Sequence, residues 1–283
     1  MERINYEIHP KENIYFSIRL IISIAIYALI GFMIAKSTSS RMGGAEFFVI
    51  FIYVGLILLY LFISLGLLVG YIKGNAVKIT KNQFPEAYLI LEMQCEKLGI
   101  NSVPSAYILQ SGGVLNAFAT KFIGRNYIVI YSEIFELAYE QGQDALEFVI
   151  GHELGHIKRN HITKSLYLLP SAIIPFLASA YSRACEYTCD NIGKSLNPVG
   201  ATNGLLILAA GKQLFKKVNG DEYINNEQYE TSFWKWFAEK VSSHPHLPKR
   251  LKNVGISQFK TPRESVKELI TEREDNNNRF MPK

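Results

Sequence analysis

The spacing of apolar and polar positions divides the chain before any composition is counted. Residues 47–72 run for 26 positions without a charge, more than the roughly 20 that an α-helix needs to cross a bilayer. Residues 20–35 form a shorter uncharged run between Arg19 and Lys36. That run reaches spanning length if residues 14–17 extend it and Arg19 snorkels to the headgroups. Its leader mixes Glu2, Glu7 and Glu12 with Arg3, Lys11 and Arg19. This is unlike the positive start of a signal peptide, so a retained helix is preferred to a cleaved one. Residues 1–72 are therefore expected to form an anchor of two transmembrane helices, about 14–35 and 47–72, joined by the serine- and glycine-bearing loop 36–44.

Past residue 72 the periodicity becomes that of a folded domain mixing helix and strand. Residues 84–98 have helical spacing, with Pro85 suited to a first turn. Short β-type runs at 105–110, 113–120 and 126–131 lie between Ser-Gly-Gly and Gly-Arg-Asn turns, which predicts a small antiparallel sheet. Helices are expected at 132–139, 144–161, 201–217 and 232–241. Asp144 and Glu147 form a plausible capping pair at the start of the second of these. A third apolar stretch, 165–181, is interrupted by Pro170 and Pro175. It is read as a kinked core helix or as one dipping into the bilayer surface. From about residue 260 the chain turns polar, and 261–283 reads as a loose tail. The expected fold class is α+β, mainly helical.

Composition sharpens this picture in three places. Hydrophobic residues make up 48% of the chain and charged residues 19%, and the excess sits in the first 72 positions. The net charge of +5 comes from intermixed signs, with no arginine-rich stripe, so nucleic acid is not an expected partner and the lipid bilayer is. Positive charges flank the outer ends of the hairpin (Arg3, Lys11, Arg19; Lys73, Lys78, Lys81) against Lys36 and Arg41 inside it. The positive-inside rule then places the domain on the cytoplasmic side of the cell membrane. Cys95, Cys185 and Cys189 are too few and too odd for a disulfide framework, which agrees with a reducing compartment.

The chemistry is concentrated at His152-Glu153-Leu154-Gly155-His156. On a helix His152 and His156 stand one turn apart on one face, a pair suited to zinc, with Glu153 beside them to take a proton from water. In so apolar a helix, unpartnered His and Glu would be costly to bury. A catalytic zinc needs a third protein ligand. His161 is nine residues past His152, half a turn out of phase on a continuous helix, and so faces away. No Asp or Glu occurs from Ile157 through Cys185. Glu186 is therefore favoured as the third ligand, with Asp190 one turn later to accept a proton from a ligand histidine. Were the 165–181 stretch a single crossing, Glu186 and the two histidines would lie on opposite sides of the bilayer, which excludes that topology. One Zn2+ per chain is expected.

His-Glu-Leu-Gly-His-Ile at 152–157 and Ser-Arg-Ala-Cys-Glu-Tyr-Thr-Cys-Asp at 182–190 resemble the HtpX-like family of membrane zinc peptidases. These are gluzincins related to the CaaX prenyl protease. Asn116-Ala117-Phe118-Ala119 resembles the family's edge-strand motif. His244-Pro245 with Arg250 resembles its late His-Pro motif and following arginine. The resemblance runs from about Asn116 to Leu251. It implies that His152, His156 and Glu186 hold zinc, that Glu153 is the general base, and that Asp190 supports a ligand. It further implies that Asn116, Ala117 and Phe118 pair with extended substrate, and that His244 and Arg250 contact the oxyanion. Only 29 residues separate His156 from Glu186, too few for the extra pair of spans found in the HtpX branch proper.

Together these readings predict a gluzincin-type zinc metallopeptidase domain over 73–260 behind a two-helix anchor. Its expected activity is endoproteolysis of membrane or membrane-proximal, including misfolded, polypeptides. The rival expectation is a non-proteolytic membrane scaffold or chaperone that keeps zinc for folding. A CaaX-type processing role ranks lower, because two spans cannot build the large chamber associated with it.

Overall fold

A computed structural model describes residues 3–38, 44–110, 112, 116–229 and 232–256. Most of the expected 36–44 loop, the start of the 113–120 strand and the tail at 261–283 lie outside the described residues. Two long helices, α1 (Pro10–Thr38) and α2 (Gly44–Asn75), open the chain. Within them Pro10–Lys36 and Phe51–Asn75 are long and apolar enough to cross a membrane. Large apolar side chains such as Ile24, Phe32, Phe51 and Leu59 stand bare on them, as lipid-facing residues would.

Each helix also has a base that belongs to the folded domain. On α1, Glu12, Arg19 and Ser23 are buried, whereas Ile14 and Ile21 on the other side are exposed. Arg19 does not snorkel. Its Nε donates to Ser171 Oγ at 2.9 Å, its Nη2 donates to the Leu168 carbonyl at 2.9 Å, and the guanidinium lies over the Tyr181 ring. A charge at this depth is stable because a broken helix nearby offers it acceptors. On α2, Val69 and Ile72 are buried against Tyr107, Tyr127 and Val129 of the sheet, so the uncharged run 47–72 does not all face lipid.

The sheet is mixed rather than antiparallel. Its strands β1 (Val77–Lys78), β2 (Ser105–Leu109), β3 (Ala117–Phe122) and β4 (Arg125–Tyr131) lie in the order β1-β2-β4-β3. The β3–β4 hairpin closes through Ile123 and Gly124, both at positive φ, as a two-residue turn requires. β4 then inserts beside β2 and runs parallel to it, leaving β3 at the edge. Period-two alternation divides the faces. Ala106, Ile108, Ile128 and Ile130 join α3 (Pro85–Leu98), α4 (Ser132–Gln141) and α5 (Asp144–Lys158), and Tyr107, Tyr127 and Val129 meet α2.

α5 is the centre of the domain, packed on α7 (Leu177–Leu196) and α8 (Pro198–Leu214). The α5–α7 crossing is close because glycines line it. A Cβ on Gly155 would sit 3.1 Å from Cys189 Sγ, and one on Gly193 would sit 2.7 Å from the Phe148 ring and 3.0 Å from the Phe148 carbonyl oxygen. Asp144 and Glu147 do not form the expected cap at the start of α5. Their carboxylates instead accept from Asn197 Nδ2 at 3.0 and 2.9 Å, which ties α5 to the α7–α8 turn.

The expected 144–161 helix ends at Lys158. Asn160 takes a left-handed conformation (φ 54°), and α6 (His161–Tyr167) restarts from it. The 165–181 stretch is broken as its prolines predict, into the end of α6, a 3-10 turn at Leu169–Ile173 and the start of α7. Leu166, Tyr167, Leu169, Ile173 and Phe176 form an exposed apolar collar on it. Beyond α8, α9 (Gly220–Tyr229), α10 (Phe233–Val241) and α11 (Leu247–Val254) close the domain over α7 and α8.

Gly193→Ala should lower stability by about 1–3 kcal/mol through overpacking. Gly70→Ala, where an added Cβ meets nothing within 4 Å, should be close to neutral in the same thermal melts. All three cysteines are buried, and burial pushes Cys95 up to about 12, so it is a neutral thiol throughout the physiological range. Iodoacetamide at pH 8 should therefore leave Cys95, Cys185 and Cys189 unmodified in the native protein and alkylate them only after denaturation, as mass spectrometry would show.

Candidate active site

The α5–α7 crossing places the residues singled out in the sequence around one small volume. His152 Nε2 lies 3.4 Å from Glu186 Oε2, and His156 Nε2 lies 3.3 Å from Glu186 Oε1. The two imidazole rings stand edge to face at 5.1 Å. His152 and Glu186 are buried, and His156 is partly open to solvent. Glu186 Oε2 receives no well-formed hydrogen bond, although His244 Nδ1 is 2.9 Å away and Arg250 Nη1 3.5 Å.

The outer hydrogen bonds set which nitrogen of each ring is bare. His152 Nδ1 lies 2.9 Å from Asp190 Oδ1. Asp190 also accepts from Arg250 Nε at 2.8 Å and Nη2 at 2.7 Å. Burial favours a neutral Asp190, but the Arg250 guanidinium overcomes it and holds the carboxyl below the usual range. A carboxylate only accepts, so His152 Nδ1 carries a hydrogen towards Asp190, and Nε2 is the nitrogen that faces Glu186.

The centre demands positive charge. Burial would pull His152 down, yet its hydrogen bonds to Asp190 and Glu186 carry it up to about 10. Burial likewise opposes ionisation of Glu186, and the facing imidazoles of His152, His156 and His244 hold it well below the carboxylate range. Two imidazole Nε2 atoms converging on an anionic carboxylate fit a divalent cation, which would take the place of any hydrogen between them. Glu153 is buried beside them. Burial raises its pKa against the opposing pull of His152 and His156, as suits a base working nearer neutrality.

Two donor groups meet metal-site spacing among the described residues: His152 with His156 and Cys189, and Glu12 with His161 and Cys185. Burial drives the Cys189 thiol well above its ordinary value, whereas Glu186 is held as an anion. Arg250, which the resemblance assigns to the oxyanion, is buried and bound to Asp190, with its Nη1 3.5 Å from Glu186 Oε2. His244 is exposed at the mouth, and it borders a cavity of about 550 Å³ lined by Glu227, Lys235 and Leu247. Asn116 precedes β3, accepts the Tyr131 N–H at 3.0 Å and caps Ala117 N–H with its side chain. Ala117 and Phe118 lie on the edge strand, which packs beside α5.

One placement departs from helical phase. His161 does not face away: the left-handed Asn160 turns it back, and its Nδ1 lies 3.1 Å from His156 Nδ1. Its Nε2 reaches Glu12 Oε1 at 3.2 Å. Sequence reasoning placed Glu12 only in the leader of the first span and gave it no part in the site. The available signal was an acid opening an otherwise apolar helix, a placement too expensive to be incidental.

Asp190→Asn should cost about 3–5 kcal/mol, because it leaves Arg250 buried without its counter-charge. Thermal unfolding of the metal-free protein would measure it, and a loss below 1 kcal/mol would contradict the clamp.

Residues 83–174 and 166–255 match the model of Peptidase family M48. The chain is 28% identical over 209 residues to the plastoglobule-localized metallopeptidase 48, chloroplastic, of Arabidopsis thaliana. That match covers 67% of this chain and 56% of the relative, so the chain spans little more than half of that protein's length. A backbone likeness to the crystal structure of S. mikatae Ste24p has a TM-score of 0.47 at 16% identity, over 88% of this chain and 67% of that one, and is too loose to argue from. With its family match spread over most of the domain that carries the His-Glu helix, the chain belongs to Peptidase family M48, a metallopeptidase family.

Proposed function

We propose that the protein is a zinc endopeptidase acting on polypeptides at or near a membrane surface. The observation that carries this reading is that His152 Nε2 and His156 Nε2 each lie within 3.4 Å of a Glu186 oxygen in a buried, anion-rich centre. Those three residues would hold the ion, which when bound supplies Lewis acidity towards the scissile carbonyl and the attacking water. Glu153 takes the proton of that water and delivers it to the leaving amine. Asp190, clamped by Arg250, keeps the His152 hydrogen on Nδ1. His244 stands at the mouth, where it can donate to a developing oxyanion. The free edge of β3 would take an extended substrate as an added strand, with Asn116, Ala117 and Phe118 along it.

The membrane part of the reading rests on the bare apolar stretches of α1 and α2 and on the position of Glu12. Glu12 stands seven residues before Arg19 on α1, about 10 Å along the axis, and it touches the shell of the site. Residues 73–260 would then be a catalytic domain held against the bilayer by 1–72. The charges flanking the hairpin favour the cytoplasmic side.

Purified full-length protein should digest casein, and a chelator should stop it. Glu153→Gln should lower kcat by about 10²–10⁴-fold while zinc content stays at one per chain. Glu186→Ala should lose the zinc and Cys189→Ala should keep it, by elemental analysis. The opposite pattern would move the third ligand to Cys189. Undiminished proteolysis by Glu153→Gln would remove Glu153 as the base.

A further inference from the structure

The two histidines of the centre are supported in parallel ways, one described above and one running into the membrane helix. His152 is held by Asp190, which Arg250 clamps. His156 faces His161, which faces Glu12, which Arg159 clamps through Nε at 3.1 Å and Nη2 at 2.8 Å. Glu12 is 1% exposed and reaches His161 from 149 residues away in sequence.

Chemistry fixes the direction of the second chain. A carboxylate held by a guanidinium only accepts, so His161 Nε2 carries the hydrogen that points at Glu12. A singly protonated His161 is then bare at Nδ1 and can only accept there. His156 Nδ1 at 3.1 Å is the nearer donor, with the Cys189 thiol 3.7 Å off; with its hydrogen on Nδ1, His156 presents Nε2 to Glu186. The rings of His156 and His161 stand edge to face at 5.2 Å, which restrains the orientation as well as the tautomer.

We infer that His161 and Glu12 are positioning residues for His156, so that the seating of α1 on α7 forms part of the metal-binding framework. The inference rests on the reading that His152, His156 and Glu186 hold the ion. A charge buried near the base of an apolar helix is costly unless it is partnered, and here its partners lead to a ligand. The same donors, with Cys185, have the spacing of a second cation site. The Arg159 guanidinium on the same Glu12 oxygen and a buried thiol pushed up by desolvation oppose that use.

The test uses full-length protein in detergent, with Zn2+ affinity measured by chelator competition and the visible absorption of Co2+ as a probe of ligand orientation. His161→Leu should weaken Zn2+ binding by about 10–100-fold and alter the Co2+ spectrum. His161→Asn, whose Oδ1 can accept from His156, should recover most of the affinity. Glu12→Leu should behave as His161→Leu does, and Glu12→Gln, which keeps an acceptor, should lie between. Leu20→Ala loosens the same α1–α7 contact away from this chain of groups; it should lower the metal-free Tm and leave Zn2+ affinity unchanged. The inference fails if His161→Leu and His161→Asn both keep wild-type affinity and spectrum, or if affinity follows Tm in every variant, Leu20→Ala included. It also fails if the wild type binds two zinc ions and His161→Leu loses one of them. His156→Ala separates the two levels. If it retains wild-type zinc binding, the underlying ligand assignment is wrong. If it loses zinc while the His161 variants do not, only the positioning role is wrong.

Discussion

Where α5 crosses α7, two helices approach closely enough for a carboxylate on one to meet two imidazoles on the other. Gly155 and Gly193 make that approach possible, since a Cβ at either would press on Cys189 or Phe148. The distances around Glu186 follow from it, as do the burial of Asp190 and the reach of Arg250 from α11. Burial at the crossing is also what gives these charges their strength, because solvent does not screen them and each must find a partner in the protein.

The buried charges form a pattern rather than a scatter. Each carboxylate behind the histidines is bound by an arginine, Asp190 by Arg250 and Glu12 by Arg159. Glu186 differs in that no arginine clamps it and its two oxygens face the Nε2 atoms of His152 and His156. A core of arginine-clamped carboxylates around a carboxylate that faces two imidazoles is a surrounding that suits a cation. It is also costly, which explains why so much of the domain, from α1 to α11, converges on it.

Most of this was legible in the sequence, for reasons that differ by element. The two long helices and the His-Glu helix could be read because uncharged runs and i, i+4 pairs are local signals. Glu186 could be read because the preceding stretch holds no other acid. The sheet's topology was less legible: a hairpin was visible, but insertion of β4 beside β2 depends on tertiary packing. The phase argument for His161 failed at one residue, Asn160, whose left-handed backbone ended the helix that the argument assumed. Arg19 and Glu12 were read as the flank of a membrane span, because their partners lie some 150 residues away in sequence.

X-ray absorption at the zinc edge of the full-length protein tests the central claim most directly, because it reads the ligand elements themselves. The account predicts one zinc per chain in a shell of nitrogen and oxygen alone, near 2.0–2.2 Å, with two imidazoles contributing. A sulfur scatterer near 2.3 Å would transfer the third ligand from Glu186 to Cys189 and contradict it.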